Sequence, residues 1–326
     1  MEKTKIDIIS GFLGAGKTTL IKKLLKDAFQ GEQVVLIENE FGEIGIDGGF
    51  LKEAGIQIRE MNSGCICCSL VGDFGASLKE VISKYHPDRI LIEPSGVGKL
   101  SDVIKAVQGV EEETGLVLNS YTTVVDAKKC KMYMRNFGEF FNNQVEYAGA
   151  IIMSRTDIVD EAKAQASLEL LREINSKAAI ITTPIEKLEG KKLLEVMEHP
   201  VSLADELMEE EEVCPECGHV HEHGEHHHDH HHHHADEVFT SWGRETIKKY
   251  TKENLEKMLE ALSASDEYGI ILRAKGMLPA EDGTWIYFDM VPEETEIREG
   301  APEYTGRLCV IGSKLNEDKL AELFGL

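Results

Sequence analysis

The run K-I-D-I-I-S-G-F-L-G-A-G-K-T-T-L, Lys5–Leu20, decides the fold. Its first half is a short apolar stretch of buried-strand type, and its second half opens a helix. Between them Gly11–Thr18 reads G-x-x-x-x-G-K-T, the phosphate-loop pattern. Gly11, Gly14 and Gly16 let the backbone turn its N–H groups inward. The amides from Gly11 through Ala15 to Thr19 then face phosphate oxygens. Lys17 bridges the outer phosphates, Thr18 offers its hydroxyl to Mg²⁺, and the helix start adds its positive dipole end. Strand before and helix after is the context the motif requires.

Working outward, short apolar runs alternate with helix-like stretches. Strands are predicted at Lys5–Ser10, Gln33–Glu38, Ile56–Met61, Arg89–Glu93, Tyr121–Val125, Ala150–Ser154 and Ala178–Thr182. Helices are predicted at Thr18–Phe29, Leu70–Tyr85, Lys99–Val110 and Asp160–Ile174. That alternation predicts an α/β fold, a doubly wound and mainly parallel P-loop sheet, over residues 1–204. Residues 205–237 break the rhythm and read as a linker. Residues 238–326 read as a smaller α+β domain: strands Thr240–Thr246, Ile270–Lys275, Trp285–Met290 and Arg307–Gly312, with helices Glu253–Leu262 and Glu317–Phe324.

The bulk numbers narrow the class. At 326 residues and 42% apolar content the chain supports a large core, and no run reaches the ~18 apolar residues of a membrane span. Ile6–Ser10 feeds straight into the glycine loop and leaves no room for a signal peptide, so a cytoplasmic protein is expected. A net charge of −24 argues against nucleic-acid binding. Twelve carboxylates and no Lys or Arg fall between Asp205 and Glu237, half of that excess.

Two further positions complete a nucleotide site. Arg89–Glu93 is an apolar strand ending in E-P-S-G, which puts Glu93 at the sheet edge of the phosphate loop as a Mg²⁺-shell carboxylate. Lys17 and Glu93 are the expected catalytic pair, and the Gly96 N–H is placed to meet a terminal phosphate. The strand Ala150–Ser154 runs into S-R-T-D. Asp157 can accept from the guanine N1 and N2 donors, which adenine lacks, and Arg155 can stack on the base. Ser154 belongs to the same nucleotide set.

The seven cysteines point to metal rather than to disulfides. Cys65, Cys67 and Cys68 form C-x-C-C just after a predicted strand, on the sheet edge of Lys17, and suit one soft or borderline ion such as Zn²⁺, Co²⁺ or Cu⁺. Cys214, Cys217 and His219 form C-x-x-C-G-H, a firmer half-site. It opens a tract holding eleven of the thirteen histidines between His219 and His234, which reads as a metal-collecting loop. Cys130 and Cys309 are single and expected to be inert; redox cysteines and a purely solvating tract are the rival readings.

Taken together, G-F-L-G-A-G-K-T, E-N-E-F-G-E-I-G-I-D (Glu38–Asp47), C-I-C-C, E-P-S-G and S-R-T-D resemble the CobW-type metallochaperone GTPases, relatives of the nickel-incorporation GTPases. The resemblance covers almost the whole chain. It implies that Glu38–Asp47 is a first switch sensing the γ-phosphate and magnesium, with Glu40 among the metal ligands. It also implies GTP, Mg²⁺ and a cargo ion, Zn²⁺ or Co²⁺, linked to a client metalloprotein, with a homodimer as a further option. Arg155 stands where that family usually has Lys. No general base stands out, so slow intrinsic hydrolysis is expected. The alternatives are cobalt or nickel insertion, a metal buffer with a vestigial nucleotide site, and a small-molecule kinase.

Overall fold

The computed structural model describes residues 3–38, 57–60, 71–200, 240–292 and 294–326. The chain divides into two compact units, Met1–Pro200 and Val201–Leu326. In the first, the strands are β1 (Thr4–Gly11), β2 (Val34–Glu38), β3 (Gln57–Glu60), β4 (Arg89–Glu93), β5 (Leu116–Asp126), β6 (Ala150–Ser154) and β7 (Ala179–Ile181). They form one seven-stranded sheet in the order β3-β2-β4-β1-β5-β6-β7. Every pairing between them is parallel. The central strands β1 and β4 are buried on both faces, which is why they read as unbroken apolar runs instead of alternating.

Besides a single turn at Glu111–Thr114, the helices are α1 (Lys17–Asp27), α2 (Val71–Tyr85), α3 (Leu100–Gln108), α4 (Cys130–Glu146), α5 (Glu161–Ile174) and α6 (Gly190–Glu198). From β1 the chain crosses β4 to reach β2, and from β4 it crosses β1 to reach β5. Right-handed crossovers in these opposite directions put α1 on one face and α2 to α5 on the other. The packing agrees: α1 lies against α6, while α2, α3, α4 and α5 pack each on the next. The direction of winding reverses between β1 and β4, so the loops leaving those two strands open a crevice at their C-terminal ends. Local signals fix the helix starts. Gly16, left-handed at φ 108°, stands just before α1, and Asp160 caps α5 by accepting from the Lys163 N–H.

At the other end of the strands the sheet is tied by charge. Arg89, 2% exposed, donates to Asp7 and to Glu198 Oε1 (3.1 Å) through Nη1 and to Glu32 Oε2 (2.8 Å) through Nε. Asn119 Nδ2 bridges Asp7 and Glu198, at 2.7 Å from each, and the guanidinium lies 4.4 Å from the Phe29 ring centroid. A buried charge is tolerable only when surrounded in this way.

The second unit is an antiparallel sheet in the order β11-β10-β9-β12-β8. Its strands are β8 (Thr240–Thr246), β9 (Ile270–Pro279), β10 (Trp285–Val291), β11 (Glu294–Gly300) and β12 (Gly306–Ser313). Helices α7 (Lys252–Ala264) and α8 (Glu317–Phe324) share a core with it that includes Trp242, Leu259, Phe288, Val310 and Phe324. No helix among the described residues is long and apolar enough to cross a membrane.

Several elements differ from the sequence expectation. Strand β5 begins at Leu116, five residues early: Val117–Asn119 are only half-buried and Asn119 and Ser120 break the apolar run before Tyr121; its register with β1 slips between Ile6 and Asp7. Helices α4 and α6 and strand β11 were not expected. Strand β11, E-T-E-I-R-E-G, is a charged and almost wholly exposed edge, so it carries no hydrophobic period to read.

Candidate functional site

The loop after β1 is held in a shape that only glycine permits. Gly11 has φ 143°, and a Cβ there would stand 2.4 Å from the Val124 carbonyl oxygen, so β5 passes directly against it. Gly14 and Gly16 are also left-handed, at φ 69° and 108°. Phe12, 5% exposed, anchors the loop from beneath, with ring centroids 4.5 Å from Tyr133 and 5.2 Å from Phe137 on α4. Leu13 at the tip is 58% exposed, and Ala15 is buried with its N–H donating to the Phe12 carbonyl (3.1 Å). Lys17 is 8% exposed at the start of α1, with Nζ 3.7 Å from Glu93 Oε1 across the crevice. The next two residues, Thr18 and Thr19, are exposed.

Glu93 ends β4 beside Glu38 of β2, with which it is in register. Pro94, Ser95 and Gly96 follow, all buried. Gly96 abuts the phosphate loop: a Cβ there would lie 2.8 Å from Leu13 Cδ2 and 3.0 Å from the Leu13 N. A residue not singled out from the sequence holds this turn. Gln144, fully buried in α4, donates through Nε2 to the carbonyls of Gly96 (3.2 Å) and Gly98 (2.8 Å). Nothing in the sequence near Gln144 marks it, since its partner loop is 46 residues away or more.

The S-R-T-D turn leaves β6 on the other flank. Ser154 Oγ donates to the Ala15 carbonyl (2.6 Å), tying the end of β6 to the phosphate loop. Arg155 is left-handed at φ 62°. Its Nη2 donates to the Gly14 carbonyl (3.0 Å) and its Nη1 pairs with Asp126, which is 2% exposed at the end of β5. The guanidinium thus braces the phosphate loop from the side. Thr156 Oγ1 donates to the Thr182 carbonyl (2.7 Å), and Asp157 is left exposed at the turn, where a ligand can reach it. Asp126 was the second residue missed; its signal was an acid closing an apolar strand, the same signal that marks Glu93.

The crevice therefore brings together Gly11–Thr19, Glu93, Gly96, Ser154, Arg155 and Asp157. Glu40, Cys65, Cys67, Cys68, Cys214, Cys217 and His219 lie outside the described residues, as do most of Glu38–Asp47 and the histidine tract. Among the described residues no three His, Cys, Asp or Glu side chains gather as a metal site. Cys130 and Cys309 are buried. Burial pushes the Cys130 thiol up to about 11, with Ser167 as a hydrogen-bond partner, so it is no thiolate ligand at neutral pH.

Comparison with known proteins yields two family matches. The nucleotide-binding domain of CobW/HypB/UreG matches residues 5–182, and the CobW C-terminal domain matches residues 239–325. A zinc chaperone CobW from a Sinorhizobium species is 30% identical over 217 residues, covering 58% of this chain and 60% of its own. A zinc-regulated GTPase metalloprotein activator 1 from Schizosaccharomyces pombe is 23% identical over 330 residues, 91% of this chain and 77% of that protein. The chain spans between 50% and 60% of the length of the bacterial zinc chaperones that it matches. Among solved structures, Zn(II)-bound YjiA GTPase from E. coli aligns over 100% of this chain and 99% of its own, at 22% identity and a TM-score of 0.44.

Proposed function

From a chain that belongs to the CobW/HypB/UreG family of nucleotide-binding proteins, we propose a GTP-hydrolysing metallochaperone that carries zinc to a client metalloprotein. The observation that carries the reading is the placement of Lys17 and Glu93 3.7 Å apart across the crevice where the sheet reverses, with Thr18 exposed beside them. In this reading residues 1–204 are the GTPase domain, 205–237 a metal-collecting linker and 238–326 the C-terminal domain of a cytoplasmic protein.

Each side chain then has a chemical task. The loop amides from Gly11 to Thr19 and the Lys17 ammonium take the phosphates, and the Gly96 N–H meets the terminal one. A hydroxyl on Thr18 and a carboxylate on Glu93 are hard oxygen donors, the kind of set that fits Mg²⁺, with Glu40 as a further acid. Mg²⁺ held by these donors would supply neutralising charge to the phosphates. Glu93 is paired to Lys17 as described above, so triphosphate entry exchanges one ion partner for another instead of freeing a lone buried charge. Asp157 accepts from guanine N1 and N2, while Arg155, braced on Asp126, keeps the loop in register with the base site. Cys65, Cys67 and Cys68 are the cargo ligands, with Cys214, Cys217 and His219 as the delivering half-site. Relatives named as zinc chaperones favour zinc over cobalt.

Competition binding tests the guanine assignment. GTP is expected to displace a labelled guanine nucleotide far better than ATP, and Asp157→Ala to lose on the order of 2–3 kcal/mol of that binding. Equal affinity for ATP and GTP overturns it. In parallel, a chelator-competition titration should find one tight zinc equivalent that disappears in Cys67→Ser.

A further inference from the structure

The loop after β4 does not rest on the sheet alone; helix α4 grips it at four successive points. Gln144 Nε2 holds the carbonyls of Gly96 and Gly98. Lys99 pairs with Glu139 (2.7 Å) and lies 5.8 Å from the Phe140 ring centroid. Asn143 accepts from the Ser101 N–H (3.2 Å) and donates to its hydroxyl (3.0 Å). The same helix seats Phe12 of the phosphate loop through Tyr133 and Phe137. One element, kinked at Phe137, therefore touches both of the loops that would enclose a terminal phosphate.

Within this grip Gln144 is distinctive. Its amide nitrogen is committed to two carbonyls, yet its Oε1 is fully buried and has no hydrogen-bond partner among the described residues. The Ser95 and Ser10 hydroxyls, at the ends of the same two loops, are in the same state. Buried oxygens are nearly always hydrogen-bonded, so three of them beside the two loops mark the place where a bound group or ordered water has polar partners to meet. The Gly96 N–H likewise donates to no group among the described residues, while the Gly98 N–H is used by the Ser95 carbonyl (2.8 Å). The Gly96 N–H shares its peptide with that Ser95 carbonyl, so its direction is set by the Gly98 N–H, and Gln144 holds the carbonyls of Gly96 and Gly98 on either side.

We propose that Gln144 is a positioning residue for triphosphate recognition: by holding the Gly96 and Gly98 carbonyls it fixes the Ser95–Gly98 turn that carries the Gly96 N–H, and it distinguishes triphosphate from diphosphate. This rests on the nucleotide-hydrolase reading above. Gln144 touches no phosphate; it acts through the Gly96 peptide. A diphosphate does not reach that peptide and is indifferent to it.

The test compares affinity for GDP and for a non-hydrolysable GTP analogue in the full-length protein and in Gln144→Met and Gln144→Glu. The first variant removes the donor at similar volume; the second sets a carboxylate against two carbonyls. The analogue is expected to bind about tenfold more weakly, the effect of one lost buried hydrogen bond, with GDP affinity changed by less than about twofold. Equal losses for both nucleotides, or none, in a folded variant overturn the proposal. If neither variant folds, hydrogen exchange on the wild type decides. The Gly96–Gly98 amides should gain protection with the analogue and not with GDP, whereas identical protection in both states overturns the inference. A wild-type protein that binds neither nucleotide overturns the nucleotide reading itself, which is a separate outcome.

Discussion

Arg89 shows how much one side chain can settle. It starts β4, is 2% exposed, and is shared by acids from three places in the chain: Asp7, Glu32 and Glu198. Burial opposes its charge, but Asp7 and Glu32 outweigh burial and hold the guanidinium protonated far above any working pH. For Glu198 burial pushes the carboxyl up, and the Asn119 amide and Arg89 more than reverse this, leaving it below its ordinary 4.5. A depressed acid stabilises the fold above its unfolded value and loses that contribution as pH falls through the folded one. Glu198→Gln should therefore cost about 1–2 kcal/mol in urea denaturation at neutral pH, where the wild type keeps its charged hydrogen bonds. Below pH 4.5 the two proteins should converge, because the wild-type carboxyl is being protonated. A gap that persists unchanged in acid would show that shape rather than charge is at work. None of this was legible in the sequence: Asp7 and Arg89 are ordinary members of apolar strands until the sheet sets them side by side.

At the scale of elements, legibility follows burial. Strands β1, β4 and β6 are short runs buried on nearly every residue, so their identity and their terminal Gly11, Glu93 and Ser154 could be read directly. Helix α4 could not be. Its aromatic residues point to more than one side, Gly138 and paired asparagines interrupt it, and Phe137 leaves helical geometry at φ −136°. Yet α4 supports both phosphate-facing loops. Its two faces make separate predictions. Phe141, 2% exposed and part of the Phe12–Tyr133 cluster, should cost about 3–5 kcal/mol as Phe141→Ala. Its neighbour Phe140, 39% exposed, should stay within about 1 kcal/mol on the same substitution. Thermal or urea melts of the two variants check this, and similar losses would mean that the inner face has been misassigned. Strand β11 was missed for the opposite reason: a solvated edge needs no pattern.

The whole molecule carries −24, half of it between Asp205 and Glu237. The expected division of labour is capacity in that segment and specificity in Cys65–Cys68. Deleting His221–Asp236 removes ten histidines. It should abolish several weak metal equivalents in a chelator titration while sparing one tight equivalent and GTP turnover. Loss of the tight equivalent would move the cargo site into the segment. The described part of the first unit ends at Pro200, two residues after Glu198. Glu198 Oε1 accepts from Asn119 (2.7 Å), Arg89 (3.1 Å) and Lys5 (3.5 Å), near the starts of β5, β4 and β1. Mechanically this is a strain relief. A tug arriving along the chain from residue 201 onward is shared among three central strands at the end of the sheet away from the phosphate loop. Loading, unloading or docking of whatever follows Pro200 then pulls on the sheet as a whole, much as a clamp spreads the pull of a cable over the frame it is fixed to.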